Sequence, residues 1–333
     1  MPYKQVHIRS EFNHYKSIAM IKSTGLLVAA LSSLVVLMSS TNPKELTIMP
    51  TPDNSLGTPE FNFKYTETIN TGSQAMPLVG QLSKDGDAMY YTSQTTKGRM
   101  LLYRMKRNPA GKFDSPERMK GLVGSEIQDI LMPTLSSDEK TLVFVYSPKG
   151  FQKGSDLYIA DAGEEEGTFV NVRPLDEIND PEKAEFYPWI SPDANRIYFS
   201  RQIGKEVQFY FTERSANDKR FSSPVKLDFS VPKSHNNLSC WLSNNELEMF
   251  VLSGEQVYYA SRTAISDNFS LPIEVARAES DGFLSGITIT DNQKEMFVYN
   301  SLGFRNTQLV RFENSAARVK VKQEIDKGKI DIH

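Results

Sequence analysis

One short phrase is repeated five times along this chain. Each copy consists of a Ser or Thr, a spacer, an Asp or Asn, a polar turn and a run of apolar, β-forming residues. The copies begin at Ser83, Ser136, Ser191, Ser243 and Thr290. From one copy to the next, the Asp or Asn recurs after 53, 55, 52 and 47 residues. A period of roughly 40–50 residues with several short strands in each unit is typical of the blades of a β-propeller.

Each repeat also contains several apolar segments separated by turns. The third repeat shows four of them, at 186–190, 196–200, 207–211 and 224–228. Their β-branched and aromatic residues favour strands that are buried between neighbouring sheets. The sequence therefore predicts an all-β fold, a β-propeller of four-stranded antiparallel blades. Nine residues are expected to be buried. Four occupy one position of the repeat, Phe144, Tyr198, Phe250 and Phe297, and the other five precede the turns, Leu82, Leu135, Ile190, Leu242 and Ile289.

The most repeated residues are best explained by the turn that they form. An Asp or Asn can accept hydrogen bonds from the backbone just downstream, and Gly, Asn or Asp tolerates the positive φ of a tight hairpin. We expect the Ser or Thr two residues earlier to form hydrogen bonds across the same turn. The repeated polar residues are therefore interpreted as structural.

The number of blades depends on how the ring closes. Segment 63–70 reads as an outer strand with no blade before it, which is expected when an N-terminal strand completes the last blade. Segment 317–322 alternates apolar and basic residues and competes for the same position, so six blades remain an alternative. We favour five blades, with the N-terminal strand closing the ring.

A family resemblance rests on two phrases. Ser191-Pro192-Asp193 leads into Ile197-Tyr198-Phe199-Ser200, and the second repeat contains Asp156-Leu157-Tyr158-Ile159. These phrases resemble the TolB-type, WD-like bacterial propeller repeat. The resemblance covers about residues 61–313 and is best in the second and third copies, whereas the fourth and fifth have Asn for Asp and lack Pro. It implies the fold. For function it implies only that such repeats serve periplasmic scaffolds, envelope lipoproteins and side domains of peptidases.

The N-terminal region predicts export. Residues 24–38 carry no charge and follow Lys22, and they are shorter than the roughly 20 residues of a membrane span. They match the apolar region of a signal peptide. We assign 1–40 to a signal peptide or an N-terminal anchor, with Met20 as a hypothetical true start. Residues 41–60 are then a linker, 61–313 the propeller, and 314–333 a C-terminal strand or tail.

Composition excludes several kinds of chemistry. The chain has one cysteine, Cys240, and four histidines, with no paired cysteines, no His-x-x-x-His and no Gly-x-Ser-x-Gly. The chain therefore has almost none of the residues that a zinc site, a Cys–His pair or a Ser–His pair needs, and we expect no cofactor. Cys240 is expected to be a small buried residue. The formal charge of −3, with scattered basic residues, is a poor match for nucleic acid. The acidic run 164–166 is read as a solvated hairpin tip.

A candidate ligand site can still be read from the repeat. The loop that leads into each innermost strand offers a polar residue, and ring symmetry would bring these residues to one mouth of the central channel. The candidate ligand-binding residues are Gln74, Asp129, Glu185, His235, Asn236 and Asp281. We predict no catalytic residue and no metal site. One alternative is that these residues line a funnel that holds only water. The other is catalysis by carboxylates, which needs only Asp or Glu.

Three functions remain open. The leading hypothesis is an exported, non-enzymatic propeller that binds a protein of the cell envelope, or a small ligand, at its mouth. The second is a carbohydrate-active enzyme or sugar-binding lectin at the same mouth, with Tyr187 or Phe283 stacking on the sugar. The third is a membrane-tethered sensor module. We expect the protein to be periplasmic or secreted, with anchoring to the inner membrane through the N-terminal segment as the alternative.

Overall fold

A computed structural model gives the structure of most of the five repeat units of this chain and of the strand before them. It describes residues 61–71, 76–95, 97–127, 129–147, 154–215, 217–231, 238–277, 282–302 and 307–316. The described residues form five small sheets, so the protein is a five-bladed β-propeller. The predicted all-β fold is confirmed, as is the favoured count of five blades.

Within each blade, consecutive strands are antiparallel neighbours, running from the channel outwards. Blade 1 contains β2 (Met76–Leu82), β3 (Ala88–Gln94), β4 (Met100–Lys106) and β5 (Glu117–Arg118). Blade 2 contains β7 (Leu131–Leu135), β8 (Thr141–Tyr146), β9 (Asp156–Ala162) and β10 (Thr168–Pro174). Blade 3 contains β11 (Ala184–Ile190), β12 (Arg196–Ile203), β13 (Glu206–Glu213) and β14 (Val225–Lys226).

The last two blades follow the same order. Blade 4 contains β15 (Leu238–Leu242), β16 (Glu248–Ser253), β17 (Gln256–Ser261) and β18 (Ile273–Arg277). Blade 5 contains β19 (Phe283–Ile289), β20 (Glu295–Ser301) and β21 (Thr307–Asn314). Its outermost strand is β1 (Phe63–Ile69), from the beginning of the described chain.

The N-terminal strand closes the ring as predicted. β1 pairs antiparallel with β21, from Phe63 opposite Asn314 to Ile69 opposite Leu309. Phe63 is fully buried and packs against Phe250 of blade 4, at a ring-centroid distance of 6.5 Å. β1 therefore completes blade 5 and also joins it to blade 4. Segment 317–322, the competing candidate, lies outside the described residues.

Blade 2 has one strand more than predicted. The two-residue strand β6 (Gly121–Leu122), in the connection from blade 1, pairs parallel with the outer strand β10. The backbone of Gly121 has a φ of 76°, a left-handed conformation that favours glycine, and Leu122 is buried. The connection therefore covers part of the outer edge of β10.

The repeated phrase forms the same turn in all five blades. The Ser or Thr hydroxyl donates to the Asp or Asn side chain, over 2.5–2.9 Å, and accepts the amide five residues downstream. The Asp or Asn accepts the amide two residues downstream at 3.0 Å in every copy. The predicted hydrogen bond across the turn is confirmed.

The left-handed residue of this turn directly follows the Asp or Asn. Positive φ falls on the residue after the Asp or Asn, and in four of the five copies this residue is not glycine. These residues are Gly86, Glu139, Ala194, Glu246 and Gln293, with φ between 57° and 82°. A left-handed non-glycine residue costs roughly 1–2 kcal/mol. The hydrogen bonds of the turn offset that cost in the four copies without glycine.

The core lies between the blades, where the second strands are packed. All nine positions expected to be buried are buried, with exposed fractions of 7% or less. The largest cluster joins blades 3, 4 and 5 and includes Trp241, Phe250 and Phe312. The repeat alignment read from the sequence is therefore confirmed.

Ring closure makes the first described strand essential. Deletion of 61–70 should leave the edge of β21 unpaired and remove Phe63 from the core, so the protein should lose its cooperative unfolding transition and aggregate. Size-exclusion chromatography and urea unfolding measure both effects. Deletion of 320–333, which lies outside the described residues, is the control and should be mild. A monomer with an unchanged unfolding midpoint after the first deletion would contradict closure by β1.

Candidate functional site

The five innermost strands define a channel with two distinct ends. β2, β7, β11, β15 and β19 contact one another in a ring. Every blade begins at its innermost strand, so the chain enters these strands from one end, here called the inlet end. The five Ser/Thr–Asp/Asn turns follow them at the other end, here called the turn end. The predicted ligand-binding residues are expected at the inlet end.

Two of the six predicted ligand-binding residues lie in the described part of the chain. Asp129 lies two residues before the start of β7, and Glu185 is the second residue of β11. The other four lie outside the described residues: Gln74, His235, Asn236 and Asp281. Convergence of all six at the inlet end stays a prediction.

Asp129 connects the beginning of blade 2 to blade 1. Its Oδ1 accepts hydrogen bonds from Nε of Arg99 at 3.1 Å and from the amide of Met100 at 2.9 Å. Its side chain is 41% exposed. Asp129 is therefore within reach of a ligand in solvent, but an arginine already compensates its charge.

Glu185 is fully buried and faces an arginine rather than solvent. Nε of Arg201 donates to Oε1 of Glu185 at 2.6 Å, and Nη2 of Arg201 donates to the carbonyl of Ile178. The Arg201 guanidinium also lies over the Tyr210 ring, 4.8 Å from its centroid. Burial raises the pKa of Glu185 above its ordinary range, although the neighbouring Arg201 opposes this. This arrangement locks β11 to β12 beside the channel.

The aromatic residues expected to stack on a sugar differ in accessibility. Tyr187 is buried, has a left-handed backbone with φ of 49°, and belongs to the core cluster of blades 2 and 3. Phe283, at the beginning of β19, is half-buried. Of the two predicted stacking residues, Phe283 alone retains surface for a ligand.

The two described acidic residues should differ sharply in their effect on stability. Glu185→Ala leaves the buried Arg201 without its partner, so it should lower the free energy of unfolding by about 3–5 kcal/mol. Asp129→Ala removes a half-exposed pair and should cost about 1 kcal/mol or less. Urea unfolding of both variants tests this contrast. Equal effects would contradict the assignment of Glu185 to the core.

The turn end of the channel is closed by side chains that cross it. Nε2 of Gln81, in blade 1, donates to the carbonyl of Pro188, in blade 3, at 3.1 Å. Nδ2 of Asn244, in blade 4, donates to the carbonyl of Lys84, in blade 1, at 2.7 Å. Blade 1 is adjacent to neither blade 3 nor blade 4 in the ring, so both bonds span the axis.

Lys84 occupies the centre of this closure. Its Nζ lies 3.7 Å from the centroid of the Trp189 ring. With Trp241 and Asp291 it lines a cavity of about 10 Å³, which is just large enough for one water molecule. Burial lowers the pKa of Lys84 to about 7, although the negative charges of Glu246 and Asp291 favour its ammonium form.

A buried ion pair supports the closure from one side. Glu246 accepts bonds from Nε and Nη2 of Arg196 at 2.8 and 3.0 Å. The Tyr198 hydroxyl donates to Glu246 at 2.8 Å and accepts from Nη2 of Arg262 at 2.8 Å. Glu246 is the left-handed turn residue of blade 4, whereas Arg196 and Tyr198 belong to blade 3. The turn thus clamps neighbouring blades together.

A second repeated feature was not recognised in the sequence. An arginine follows the third strand in three blades, and its Nε donates to the carbonyl of the left-handed turn residue over 2.8–3.1 Å. Its guanidinium lies 4.3–4.7 Å from the ring centroid of a phenylalanine further along the same loop. The pairs are Arg107 with Phe113, Arg214 with Phe221, and Arg262 with Phe269. Their nearly constant spacing of six or seven residues was the available signal.

The acidic run 164–166 is exposed, as expected of a hairpin tip, but it also holds two blades together. Oε1 of Glu166 accepts from Nη2 of Arg104 at 2.7 Å and from Nζ of Lys106 at 3.3 Å, both in blade 1. Glu165 pairs with Lys120 in the connection between the blades. The reading as a merely solvated tip was therefore incomplete.

Metal and thiol chemistry find no support in the described ranges. Among those residues, no group of three or more His, Cys, Asp or Glu side chains is placed to hold a metal ion. Cys240 is buried as predicted, and burial raises the pKa of its thiol to about 12. The described part of the chain contains no helix long and apolar enough to cross a bilayer.

The low pKa of Lys84 predicts a specific pH dependence of stability. Between pH 7 and the ordinary lysine pKa of 10.5, unfolded Lys84 binds a proton that the folded residue lacks. The free energy of unfolding should therefore rise with pH over this window through Lys84. Lys84→Met should be more stable than the wild type at pH 7, and this advantage should shrink towards pH 10. Urea unfolding at pH 7, 8.5 and 10 measures it. A difference independent of pH would contradict the burial of this amine.

Comparisons with known proteins show similarity in structure only. No family model matches the chain, and no curated protein matches it at a significant level. The structure of TolB from Acinetobacter baumannii has 16% identity and a TM-score of 0.45, over 82% of this chain and 64% of that chain. The chain thus spans less than two thirds of that protein.

Two further solved structures are similar at the same level. A putative TolB from Agrobacterium tumefaciens has 14% identity and a TM-score of 0.46, over 79% of this chain and 92% of that one. A gluconolactonase from Xanthomonas campestris has 10% identity and a TM-score of 0.45, over 81% and 98%. These values carry no conclusion about function. The five sheets of the chain itself show what it is, a five-bladed β-propeller.

Proposed function

We propose that this protein is an exported, non-enzymatic propeller scaffold that binds a protein partner of the cell envelope at its inlet end. The observation that carries the proposal is the closure of the turn end. Gln81, Lys84 and Asn244 make contacts across the axis there. A channel blocked at one end leaves the inlet end as the concave surface on which a ligand or partner can be held.

The charges at the inlet end favour binding over catalysis. Catalysis by two carboxylates needs one that donates and one that accepts a proton, both facing the substrate. The two carboxylates of the predicted site that the structure describes pair with arginines instead. Asp129 pairs with Arg99, and Glu185 pairs with Arg201. The buried Arg201–Glu185 pair holds the strands beneath in shape, and the exposed Arg99–Asp129 pair presents polar surface, which suits recognition of a macromolecule.

The rigidity of the ring also suits a scaffold. Ion pairs join blade 3 to blade 4 through Arg196 and Glu246, and blade 5 to blade 1 through Glu295 and Arg107. Both pairs are largely buried, so salt screens them less than surface pairs. A preformed surface loses little conformational entropy on binding, which favours affinity.

Export is part of the proposal and rests on the sequence. Residues 24–38 form an uncharged run that matches the apolar region of a signal peptide. We place the mature protein in the periplasm or outside the cell. The intact mass of the protein purified from envelope fractions tests this. Retention of the run in the mature protein would instead favour the membrane-tethered sensor.

Two matched charge reversals test where the partner binds. Lys205 is exposed in the inlet-end turn between β12 and β13, and Lys294 is exposed in a turn-end loop of blade 5. Lys205→Glu should reduce the recovery of a crosslinked envelope partner at least fivefold, whereas Lys294→Glu should leave it unchanged. Quantitative mass spectrometry after crosslinking of the tagged full chain measures both. The opposite pattern, or no enriched partner with the wild type, would overturn the proposal.

A further inference from the structure

One position of the repeat links each of the last three blades to the blade that follows it around the ring. The position lies five residues after the Ser or Thr of the phrase and begins the second strand. Its occupants in blades 1 to 5 are Ala88, Thr141, Arg196, Glu248 and Glu295. In blades 3, 4 and 5 its side chain bonds to the next blade, through the pairs Arg196–Glu246, Glu248–Gln293 and Glu295–Arg107. In blade 2 it is a short, neutral threonine, whose side chain makes no such bond to the described residues of blade 3.

The threonine leaves the repeated arginine of blade 3 without a carboxylate. In blade 1, Nη2 of Arg107 donates to Oε2 of Glu295 at 2.7 Å, and Nη1 donates to Oε1 at 3.4 Å. Arg214 is anchored in the same way as Arg107, with its Nε on the carbonyl of its own turn and its guanidinium over a phenylalanine ring. Among the described residues, however, its two Nη atoms have no hydrogen-bond acceptor and no ion pair. The guanidinium is thus held in a fixed position with its outer edge free.

A groove takes the place of the ion pair. It lies between the turns of blades 2 and 3, is lined by Thr141 and Arg214 among others, and has a volume of about 490 Å³. Sites for small molecules have volumes of roughly 300–1,000 Å³. Ser137 and Asp138, on the blade 2 side, are exposed to solvent. A ligand of moderate size can therefore enter this surface, here called the blade 2/3 groove, without displacing a side chain of the core.

Arg214 is held at an electrostatic cost that an anion would relieve. Burial lowers the pKa of its guanidinium, and the positive charge of Arg173 lowers it further. Arg196 shows the opposite shift, because its hydrogen bonds to Glu246 raise its pKa. Both guanidinium groups stay charged, since arginine is not deprotonated in proteins. A ligand carboxylate on the two Nη atoms would stabilise Arg214 as Glu246 stabilises Arg196, in the bidentate geometry that such pairs favour.

The blade 2 side of the groove carries the opposite charge. Asp138 accepts hydrogen bonds from Ser136 and from the amide of Lys140 through Oδ1, whereas its Oδ2 has no bond to a described residue. Partial burial raises the pKa of Asp138, but these hydrogen bonds outweigh burial and keep the pKa below its ordinary value. Asp138 is therefore an ionised carboxylate with one oxygen available to a cation. A second carboxylate, Asp193, also lines the groove, so a simple anion such as phosphate is disfavoured.

We propose that the blade 2/3 groove binds a short peptide with free termini, with its carboxylate at Arg214 and its ammonium group at Asp138. A zwitterion satisfies both signs of charge in the groove, which neither a lone anion nor a lone cation does. The volume suits a ligand of about two or three small residues. The peptide carboxylate takes the place beside Arg214 that Glu295 takes beside Arg107. The groove lies at the turn end, so this site is independent of the partner surface proposed at the inlet end.

Isothermal titration calorimetry with trialanine tests the proposal on the full chain at pH 7 and low salt. The wild type should bind one peptide per chain. Trialanine amide lacks the carboxylate and N-acetyl-trialanine lacks the ammonium group, so each should bind more weakly by about tenfold or more. The absence of saturable binding of trialanine would overturn the proposal. Equal binding of either blocked peptide would overturn the role assigned to Arg214 or to Asp138, respectively.

Three variants separate loss of the site from loss of the fold, which circular dichroism checks in each. Arg214→Gln should weaken trialanine binding by about tenfold or more. Arg220→Gln, which removes an exposed arginine of the same loop outside the groove, should bind as the wild type does.

Thr141→Glu supplies the missing carboxylate from the protein itself. It should abolish trialanine binding, because the new side chain should pair with Arg214 as Glu295 pairs with Arg107. Its Tm should rise above that of the wild type, which a damaged fold would not show. Undiminished binding in Thr141→Glu or in Arg214→Gln would overturn the assignment of the peptide carboxylate to Arg214.

Discussion

The structure depends on the pairing of its first described strand with its last. β1 and β21 come from opposite ends of the propeller sequence, yet they form neighbouring strands of one blade. Arg311 on β21 reinforces the pair through Glu67 on β1 at 2.7 Å. Phe61 and Phe63 extend the contact to Phe250 of blade 4. Until this pairing forms, blades 4 and 5 lack part of their shared core, and closing it requires contacts about 250 residues apart. Such long-range closure carries a large loop-entropy cost, so it is expected to form late in folding.

Much of the fold could be predicted from the sequence, because each blade forms the same turn from the same short phrase. The Ser191–Asp193 phrase specifies its turn through short-range hydrogen bonds, which depend little on the rest of the ring. The extra strand β6 could not be predicted in this way, since two residues carry no periodic pattern. The position of the left-handed residue could not be predicted, because Glu139 and Gln293 are poor candidates by propensity alone. They adopt this conformation because the hydrogen bonds of the turn around them stabilise it.

The candidate sites were harder to predict than the fold, for a geometric reason. Repeat symmetry places Glu185 at the inlet end, but the direction of its side chain depends on the strand register. Beyond Glu185 that register is broken between Phe186 and Trp189. A shift of one residue moves a side chain to the other face of its strand. The contact between Lys84 and Trp189 was still harder to predict, because the two residues belong to blades 1 and 3, which are adjacent neither in the sequence nor in the ring. Only the closed ring brings them to one axis.

The closure of the ring also fixes where the chain leaves it. Asn62 precedes β1 and Ser315 follows β21, and the amide of Ser315 donates to the carbonyl of Asn62 at 2.9 Å. The two ends of the propeller are therefore neighbours at one corner of blade 5. A domain with adjacent ends can be inserted into a loop of another protein, or circularly permuted, without stretching either linker. Joining residue 62 to residue 315 and reopening the chain between two other blades would move the closing seam and leave every blade intact. The blade in which the ring closes is therefore set by the order of the strands along the chain rather than by the fold.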